Sequence, residues 1–316
     1  MKDMLNTIIN GDCIETLTKI DQPFADLIFA DPPFNIGYKY DKYHDKVERN
    51  NYIAWTKDWI TTCKKVLKPH GSFYIAIGDD YAANVKVIAD DLGLVMRNWI
   101  IWHYTFGQQT KDKFARSHTH IFYFVNDSKN FIFNDFAVRV PSDRQLIYAD
   151  KRANPAGKIP DDVWEDSRVC GTFKERTGWH PCQMPEQLLM RIIAASSNAG
   201  DCVLDPFVGS GTTAVAAKKL LRNYVGIEIS ADYVKKSQQR LAQLDTSASI
   251  EKEHKLNIVE IRELKRLIPD IGYSPKQVMS NKDLLELFTG QFAIRMNNQK
   301  QYISAEIATA LKGITD

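Results

Sequence analysis

The sequence lacks the cysteine patterns of metal-binding and secreted proteins. Its five cysteines are scattered and none forms a CxxC pair, which argues against a zinc ribbon, an iron–sulfur cluster or a disulfide scaffold. No apolar run approaches the roughly 20 residues that span a bilayer. Residues 1–10 have neither the apolar core nor the small-residue cleavage site of a signal peptide. We therefore expect a cytoplasmic protein with free thiols and no membrane partner.

Charge and composition show little bias either. Lys and Arg total 41 against 39 Asp and Glu, so the formal net charge is only +2 over 316 residues. Composition alone therefore makes no case for a nucleic-acid or membrane partner. Apolar residues make up 44% of the chain, too many for a disordered protein. The length predicts one large domain or two modest ones.

Apolar runs alternate with segments of helical periodicity along most of the chain. Residues 25–30 and 202–206 are typical of buried strands, and residues 51–67 and 212–221 are typical of helices. This alternation predicts an α/β fold with a mostly parallel, twisted sheet that has helices on both faces. The periodicity fades over residues 127–178. The chain ends in two or three helical segments, which are joined by turn signals at Pro269, Gly272 and Ser274-Pro275.

A glycine-rich turn closes the strand at 202–206 and opens the next helix. Its sequence is Asp205-Pro206-Phe207-Val208-Gly209-Ser210-Gly211-Thr212-Thr213. Gly209 and Gly211 permit backbone conformations and a close ligand approach that a Cβ would obstruct. Such a turn at the carboxyl end of a strand is the expected ligand site of an open α/β sheet. Glu228 ends the following strand, where a carboxylate can accept hydrogen bonds from both ribose hydroxyls of a nucleoside cofactor.

Several interpretations of this turn compete. A nucleotide-binding P-loop needs a lysine directly after its glycines, but Lys218 and Lys219 lie further along the helix. A dinucleotide fingerprint needs GxGxxG, and here an alanine stands near the third glycine position. S-adenosylmethionine has ribose hydroxyls and an amino-acid moiety but no pyrophosphate, and Asp205 with the hydroxyls of Thr212 and Thr213 suits that moiety. A structural turn without a ligand is the remaining interpretation.

The second motif is Asp31-Pro32-Pro33-Phe34, which ends the strand at 25–30 and so belongs to the same carboxyl rim. It can be a proline turn that merely stops a strand. It also suits chemistry on the exocyclic amino group of a base, whose lone pair is delocalised into the ring. The Asp31 carboxylate and the Pro32 carbonyl can accept its two N–H groups and localise that lone pair. Phe34 offers a stacking face for a base flipped out of the duplex.

Together the two motifs resemble those of the S-adenosylmethionine-dependent DNA amino-methyltransferases. The catalytic motif precedes the cofactor motif, with a variable region between them, which is similar to the circularly permuted β class of that family. The resemblance implies a Rossmann-like methyltransferase fold with a small helical C-terminal extension. It also implies an enzyme that acts on double-stranded DNA in the nucleoid by direct displacement, without a metal.

The resemblance further implies roles for individual residues. Within the catalytic motif, Asp31 accepts from the target amino group and Phe34 stacks on the flipped base. Glu228 binds the cofactor ribose, and Asp12 matches the acidic position beside the cofactor adenine. The residues implied around the methionine part of the cofactor are Asp205, Phe207, Gly209, Ser210, Gly211, Thr212 and Thr213.

Two features bear on the target atom. Pro181-Cys182-Gln183 copies the nucleophile motif of cytosine C5 methyltransferases, in which a thiolate adds to the ring. In those enzymes the cofactor turn precedes the cysteine, so we interpret Cys182 as incidental. Family members that act on cytosine N4 more often carry serine at the position of Asp31, so the resemblance favours adenine N6, with cytosine N4 as the alternative. RNA or protein substrates, and an inactive DNA-binding homologue, are further alternatives.

The sequence predicts a catalytic domain at 1–245 with an inserted target-recognition region at about 127–178, a linker at 246–256 and a helical segment at 257–316. The last segment can extend the DNA grip, mediate a homodimer or cap the sheet. A cognate restriction endonuclease is another partner that the family allows. The loop at 38–44 has interleaved aromatics and cations suited to DNA contact. Further cations that can reach phosphates or guanine edges are Lys129, Arg139, Arg144, Lys151, Arg152 and Arg168. A denser basic patch consists of Lys111, Lys113, Arg116, His118 and His120.

Overall fold

The computed structural model describes residues 4–38, 40–43, 45–108, 110–148, 150, 152–154, 156–247, 256–296 and 301–315. Lys39, His44 and Lys151 of the predicted DNA-contact segments, and most of the predicted linker at 246–256, lie outside these residues. The chain divides into two compact units. The first comprises Met1–Phe133 with Asp162–Gln243, and the second comprises Asn134–Asp161 with Leu244–Asp316.

The strands described in the first unit form one sheet. They are β1 (Thr7–Asn10), β2 (Ala25–Ala30), β3 (Leu67–Ile77), β4 (Val95–Gln108), β5 (Arg116–Val125), β6 (Val163–Glu165), β7 (Cys202–Asp205) and β8 (Asn223–Glu228). Their order in the sheet is β1-β8-β7-β2-β3-β5-β4-β6. Among them, β5 runs antiparallel to both of its neighbours, and every other adjacent pair is parallel. This confirms the mostly parallel sheet that the alternating pattern predicts.

Helices cover both faces of this sheet. The helices that begin in the first unit are α1 (Cys13–Thr18), α2 (Arg49–Val66), α3 (Asp79–Asp91), α5 (Glu186–Ser196), α6 (Thr212–Lys219) and α7 (Ala231–Ser247). Along β3, Phe73 and Ile75 join a core that includes residues of α2 and α3. Tyr74 points to the opposite face, where its hydroxyl lies 2.8 Å from the Oγ of Ser196 in α5.

The sheet topology reverses between β2 and β7, which are neighbours. From β2 the chain passes through α2 to β3 on one side, and from β7 it passes through α6 to β8 on the other. The two strands are in register, with Leu27 opposite Val203 and Ile28 opposite Leu204. A crevice forms outside the carboxyl ends of the strands at such a switch point, and ligands of open α/β sheets bind there.

The second unit joins residues 134–161 to the C-terminal helices. Nε and Nη2 of Arg295 donate to the Arg139 carbonyl at 3.0 and 2.8 Å, and Arg266 donates to the Ala137 carbonyl. The elements of this unit are a 3-10 helix (Asp135–Ala137), α4 (Asp143–Leu146), α8 (Ile258–Asp270), α9 (Pro275–Ser280), α10 (Lys282–Arg295) and α11 (Ser304–Thr315).

This arrangement differs from the sequence-based division. Residues 134–161 pack with the C-terminal helices instead of remaining an isolated insertion, because buried arginines of those helices bind their backbone carbonyls. The C-terminal part has four described helices, and Pro269 lies in the last turn of α8 rather than between helices. None of the helices in the described ranges has the length and apolar character needed to cross a bilayer.

Candidate active site

Adjacent strands of the sheet bring four acidic residues to one rim. Because β1, β8, β7 and β2 are parallel neighbours, about 4.8 Å apart, the residues at their carboxyl ends lie side by side. All four line a cleft with about 980 Å³ of empty space, part of which is open to solvent. Two sequence motifs separated by more than half the chain therefore meet at the switch point. In sheet order, the acidic residues are Asp12, Glu228, Asp205 and Asp31.

Most residues of the predicted site line this cleft, and three do not. Pro33 of the catalytic motif and Phe207, Gly209, Ser210, Thr212 and Thr213 of the cofactor motif are among the lining residues. Pro32, Phe34 and Gly211 are not among the described lining residues. The Phe34 ring packs instead towards Gly78, where an added Cβ would lie 3.3 Å from it. Gly211 is the N-cap of α6, with φ +78°.

Hydrogen bonds hold the glycine turn in place around Asp205. Its Oδ1 accepts from the Phe207 amide at 2.9 Å, and its Oδ2 accepts from the Thr213 hydroxyl. Gly209 has φ +46°, in the region that favours glycine. A Cβ at Gly209 would also lie 2.7 Å from Nε2 of His180. The backbone of this turn therefore approaches the cleft wall more closely than a side chain would allow.

The Glu228 carboxylate is fixed by backbone donors. Its Oε2 accepts from the Gly209 amide at 3.1 Å and its Oε1 from the Ser230 amide at 2.8 Å. Each oxygen has a second lone pair for another donor. Asp12 is fixed in a similar way, because its Oδ1 caps α1 by accepting from the amides of Ile14 and Glu15. Both carboxylates are thus held with acceptor capacity left over.

The cleft concentrates negative charge. Burial, together with the nearby Asp205 carboxylate, raises the pKa of Asp31 to about 8, although Arg168 acts in the opposite direction. Burial also raises the pKa of Asp205 to about 7, against the hydrogen bonds from Thr213 and Phe207. Among the described lining residues, the only Lys or Arg is Lys42, and its side chain is exposed. This electrostatic environment favours a positively charged ligand.

A buried aspartate that sequence reasoning missed shapes the catalytic loop. Asp45 is only 1% exposed, and its carboxylate accepts hydrogen bonds from three backbone amides of the loop after the Asp-Pro-Pro-Phe motif. The donors are the amides of Asn35, Ile36 and Tyr38, at 2.7, 3.2 and 2.9 Å. The Tyr52 hydroxyl also donates to the Pro33 carbonyl at 2.6 Å. Nothing in the local pattern distinguishes Asp45 from the other charges of a solvated loop.

Cys182 lies in the cleft, close to Asp31. The Tyr40 hydroxyl is 3.8 Å from its Sγ. Burial and Asp31 raise the pKa of the Cys182 thiol to about 11, so the thiol is protonated at neutral pH and is a poor nucleophile. Burial lowers the pKa of the neighbouring His180 to about 4, so this ring is neutral.

Three predicted DNA-contact cations have acidic partners within the second unit. Arg144 and Arg152 both pair with the Asp150 carboxylate, at 2.6 and 3.0 Å. Arg139 pairs with Asp135 at 2.8 Å. In these contacts the three guanidinium groups hold their own segment together.

Arg168 is placed differently, in the first unit. Its side chain is exposed, and its guanidinium lies 5.2 Å from the centre of the Tyr104 ring. It is also the cation that stabilises the ionised form of Asp31 and so lowers the pKa of that carboxyl. Arg168 therefore has an electrostatic link to the Asp-Pro-Pro-Phe motif.

Comparison with known proteins gives a consistent result. The family model for N6/N4 methyltransferases, described as DNA methylase, matches residues 25–239. Type II methyltransferase M.HpaI of Haemophilus parainfluenzae is 39% identical over 235 residues, 74% of this chain and 73% of that protein. DNA adenine methyltransferase YhdJ of Escherichia coli strain K12 is 37% identical over 280 residues, 84% of this chain and 94% of that protein.

A solved structure confirms the fold. The PvuII DNA methyltransferase, cytosine-N4-specific, superposes with a TM-score of 0.56 at 18% identity, covering 82% of this chain and 92% of that one. The family match at 25–239 includes both motifs of the cleft, from Asp31 to Glu228. It confirms the family that those motifs predict: the chain belongs to the DNA methylase family of N6- and N4-methyltransferases.

Proposed function

We propose that this protein methylates the N6 amino group of adenine within a specific short site of double-stranded DNA. The observation that carries the proposal is the convergence of Asp31 and the Gly209 turn on one cleft. S-adenosylmethionine is the methyl donor. When bound, it supplies a methyl group that its positively charged sulfonium activates for transfer.

The cleft residues fit this cofactor. Glu228 is held by two amides and retains lone pairs for two ribose hydroxyls. Asp12 lies at the adenine side in the proposed arrangement, and the turn from Asp205 to Thr213 surrounds the methionine part. The glycine at 209 keeps this wall free of a side chain, and the crowded carboxylates favour a cationic ligand.

Asp31 has the central chemical role in this proposal. Its carboxylate accepts one N–H of the flipped adenine amino group, and the Pro32 carbonyl accepts the other, which localises the nitrogen lone pair. Only the ionised carboxylate can accept in this way without donating. A pKa of about 8 leaves much of Asp31 protonated at neutral pH, and a bound cation, like Arg168, shifts it towards the ionised form. The rest of the rate enhancement comes from orientation in the cleft.

Adenine is favoured over cytosine for two reasons. The motif begins with Asp31, where the family's cytosine N4 enzymes more often have serine, and the relative YhdJ is named a DNA adenine methyltransferase. The second candidate is cytosine N4, since the PvuII enzyme, which shares the fold, is named cytosine-N4-specific. A cognate restriction endonuclease and a homodimer stay predictions from the sequence.

Labelled S-adenosylmethionine and unmethylated genomic DNA test the proposal. After nuclease digestion, mass spectrometry should identify N6-methyladenine, and sequencing should map it to one short motif. N4-methylcytosine would replace the first candidate with the second, and absence of any methylated nucleoside would contradict both.

Replacement of the carboxylate separates chemistry from cofactor binding. We expect Asp31→Ala to reduce methyl transfer by at least about 10³-fold, the scale of a lost catalytic group, with the cofactor Kd within about threefold of the wild type. The matched control is Asp21→Ala, whose carboxylate is 91% exposed and which is not among the described residues that line the cleft. Wild-type transfer in Asp31→Ala would rule out the proposed role.

A further inference from the structure

The hairpin between β4 and β5 extends beyond the catalytic rim. β3 ends at Ile77, which pairs with His120 of β5. Because β5 is antiparallel, its earlier residues continue outward past the end of β3, as far as Arg116, which pairs with Gln108. Four residues at about 3.3 Å each carry the ladder about 13 Å beyond Ile77. The hairpin tip, residues 110–115, thus emerges on the same edge of the sheet as Asp31.

The tip presents a solvated aromatic ring. Phe114 is 99% exposed, more than any other large apolar side chain that the structure describes. Residues 111–115 are all exposed, so the tip does not fold back over the ring. The ring adds nothing to the core of the first unit. The ring is therefore a large apolar group held in water at the end of the hairpin, where a partner can contact it.

The charges around the ring favour a polyanion. Lys111 and Lys113 precede it in the tip, with Asp112 between them, and neither ammonium group has an ion-pair partner among the residues described for this chain. Arg116, at the base of the tip, pairs with Asp79 at 2.8 Å and so ties the hairpin to the start of α3. The hairpin therefore has an ion pair that anchors it at Arg116, two lysines available to a ligand and one exposed aromatic ring.

We propose that Phe114 enters the duplex and occupies the space that the target base leaves when it flips into the cleft, with Lys111 and Lys113 on the flanking phosphates. This inference rests on the proposed function. Asp31 lines a cleft at the rim of the sheet, and enzymes that act on a base within a duplex take that base out of the stack to reach it. Its departure opens a gap the thickness of one aromatic ring, and apolar side chains inserted at base steps are a known way to stabilise distorted DNA. A ring that fills the gap slows the return of the base.

The test uses the full-length protein and a duplex that carries the mapped site. With 2-aminopurine at the target position, the wild type should raise its fluorescence, and Phe114→Ala should lose most of that rise. Single-turnover methylation of the normal duplex should fall at least about tenfold in Phe114→Ala. It should recover when the target faces an abasic position, where no pair must be broken. Phe114→Trp should keep the wild-type behaviour, because it keeps a stacking surface.

Two controls make the result specific. Val87→Ala removes an apolar side chain that is 57% exposed on α3 and should change none of these readouts. Lys111→Ala/Lys113→Ala should weaken DNA binding and reduce the slope of log K against log salt by up to about 2, since each lysine neutralises about one phosphate.

Three outcomes overturn the inference. Unchanged flipping and rate in Phe114→Ala would show that the ring is not inserted. An equal loss on normal and abasic duplexes would make it a general docking contact, and a loss of self-association with intact flipping would make it a protein interface. If the wild type transfers no methyl group to any DNA, the proposed function fails as well, which distinguishes that failure from the failure of this inference alone.

Discussion

Buried charges play opposite parts in the two units. In the cleft of the first unit, Asp31 and Asp205 are neighbours of like charge, and burial raises the pKa of both. In the second unit, Asp270 pairs with Arg295 at 2.7 Å, and the two side chains are 1% and 0% exposed. A paired buried charge is stabilised by the fold itself, whereas two crowded carboxylates become ionised together more readily when a cation binds. The pairing state of a buried charge thus separates a structural site from a ligand site.

The largest expected effect breaks the paired cluster. Arg295→Met removes the ion-pair partner of Asp270 and two donors to the Arg139 carbonyl. We expect the free energy of unfolding, measured by urea denaturation, to fall by about 3–5 kcal/mol, the cost of breaking a buried pair. Arg295→Met/Asp270→Leu should recover most of this loss. Asp31→Asn, which removes a crowded carboxylate, should change stability by less than about 1 kcal/mol, and a larger loss there would contradict the comparison.

An intermediate effect concerns the cleft wall. Gly209→Ala introduces a Cβ at φ +46° and 2.7 Å from His180 Nε2, so the turn must shift. We expect the Kd for S-adenosylmethionine, measured by calorimetry, to rise at least about tenfold, since strain of this kind costs about 1–3 kcal/mol. The control is Gly200→Ala, which has φ +88° but no atom within 4 Å of the new Cβ. Similar weakening in both variants would mean that backbone strain, not closeness to the cleft wall, is responsible.

The smallest expected effect is a pH dependence. The pKa values of Asp31 and Asp205 rise from 3.8 to about 8 and about 7, so these groups favour the folded state below about pH 4 and lose that contribution as pH rises through 7 to 8. The affinity for a cation has the opposite pH dependence, because the carboxylates attract a cation when they are ionised. We expect the affinity for S-adenosylmethionine to rise about tenfold from pH 6.5 to 8.5, one pKa unit being worth about 1.4 kcal/mol.

Two comparisons check the origin of that pH dependence. S-adenosylhomocysteine lacks the sulfonium charge and should show a flatter profile in the same calorimetric titration. Arg168→Ala should move the midpoint to higher pH, because Arg168 lowers the pKa of Asp31. Identical profiles for the two ligands would contradict the electrostatic account of the cleft.

Much of the first unit was predictable because its elements have strong local patterns. The run at 25–30 coincides with β2, and the start of the helix predicted at 212–221 coincides with the start of α6. The region 127–178 was harder, because β6 has only three residues and is a strand through its pairing with β4. The pattern predicts a turn at Pro269, but this residue lies in the last turn of α8, whose Leu264 and Leu267 are buried in the core of the second unit.

The candidate site shows the same division. Asp31, Gly209 and Glu228 were predictable from local sequence. Asp31 directly follows β2, Gly209 belongs to the glycine-rich turn after β7, and Glu228 is the last residue of β8. Asp45 was not predictable, because its role depends on three backbone amides of the preceding loop that the fold brings to its carboxylate. The position of Cys182 beside Asp31 likewise depends on a distant part of the chain. Contacts of this kind leave no local pattern.

The amino-acid sequence alone determined the α/β class, the two motifs and the family, since periodicity and strand-end motifs are local properties of the chain. Only the tertiary structure decided that the acidic residues form one crowded rim, that Cys182 lies beside Asp31 and that Phe114 stands in solvent at the same edge. Those facts depend on which strands are neighbours, and strand order results from packing of the whole sheet rather than from any one segment.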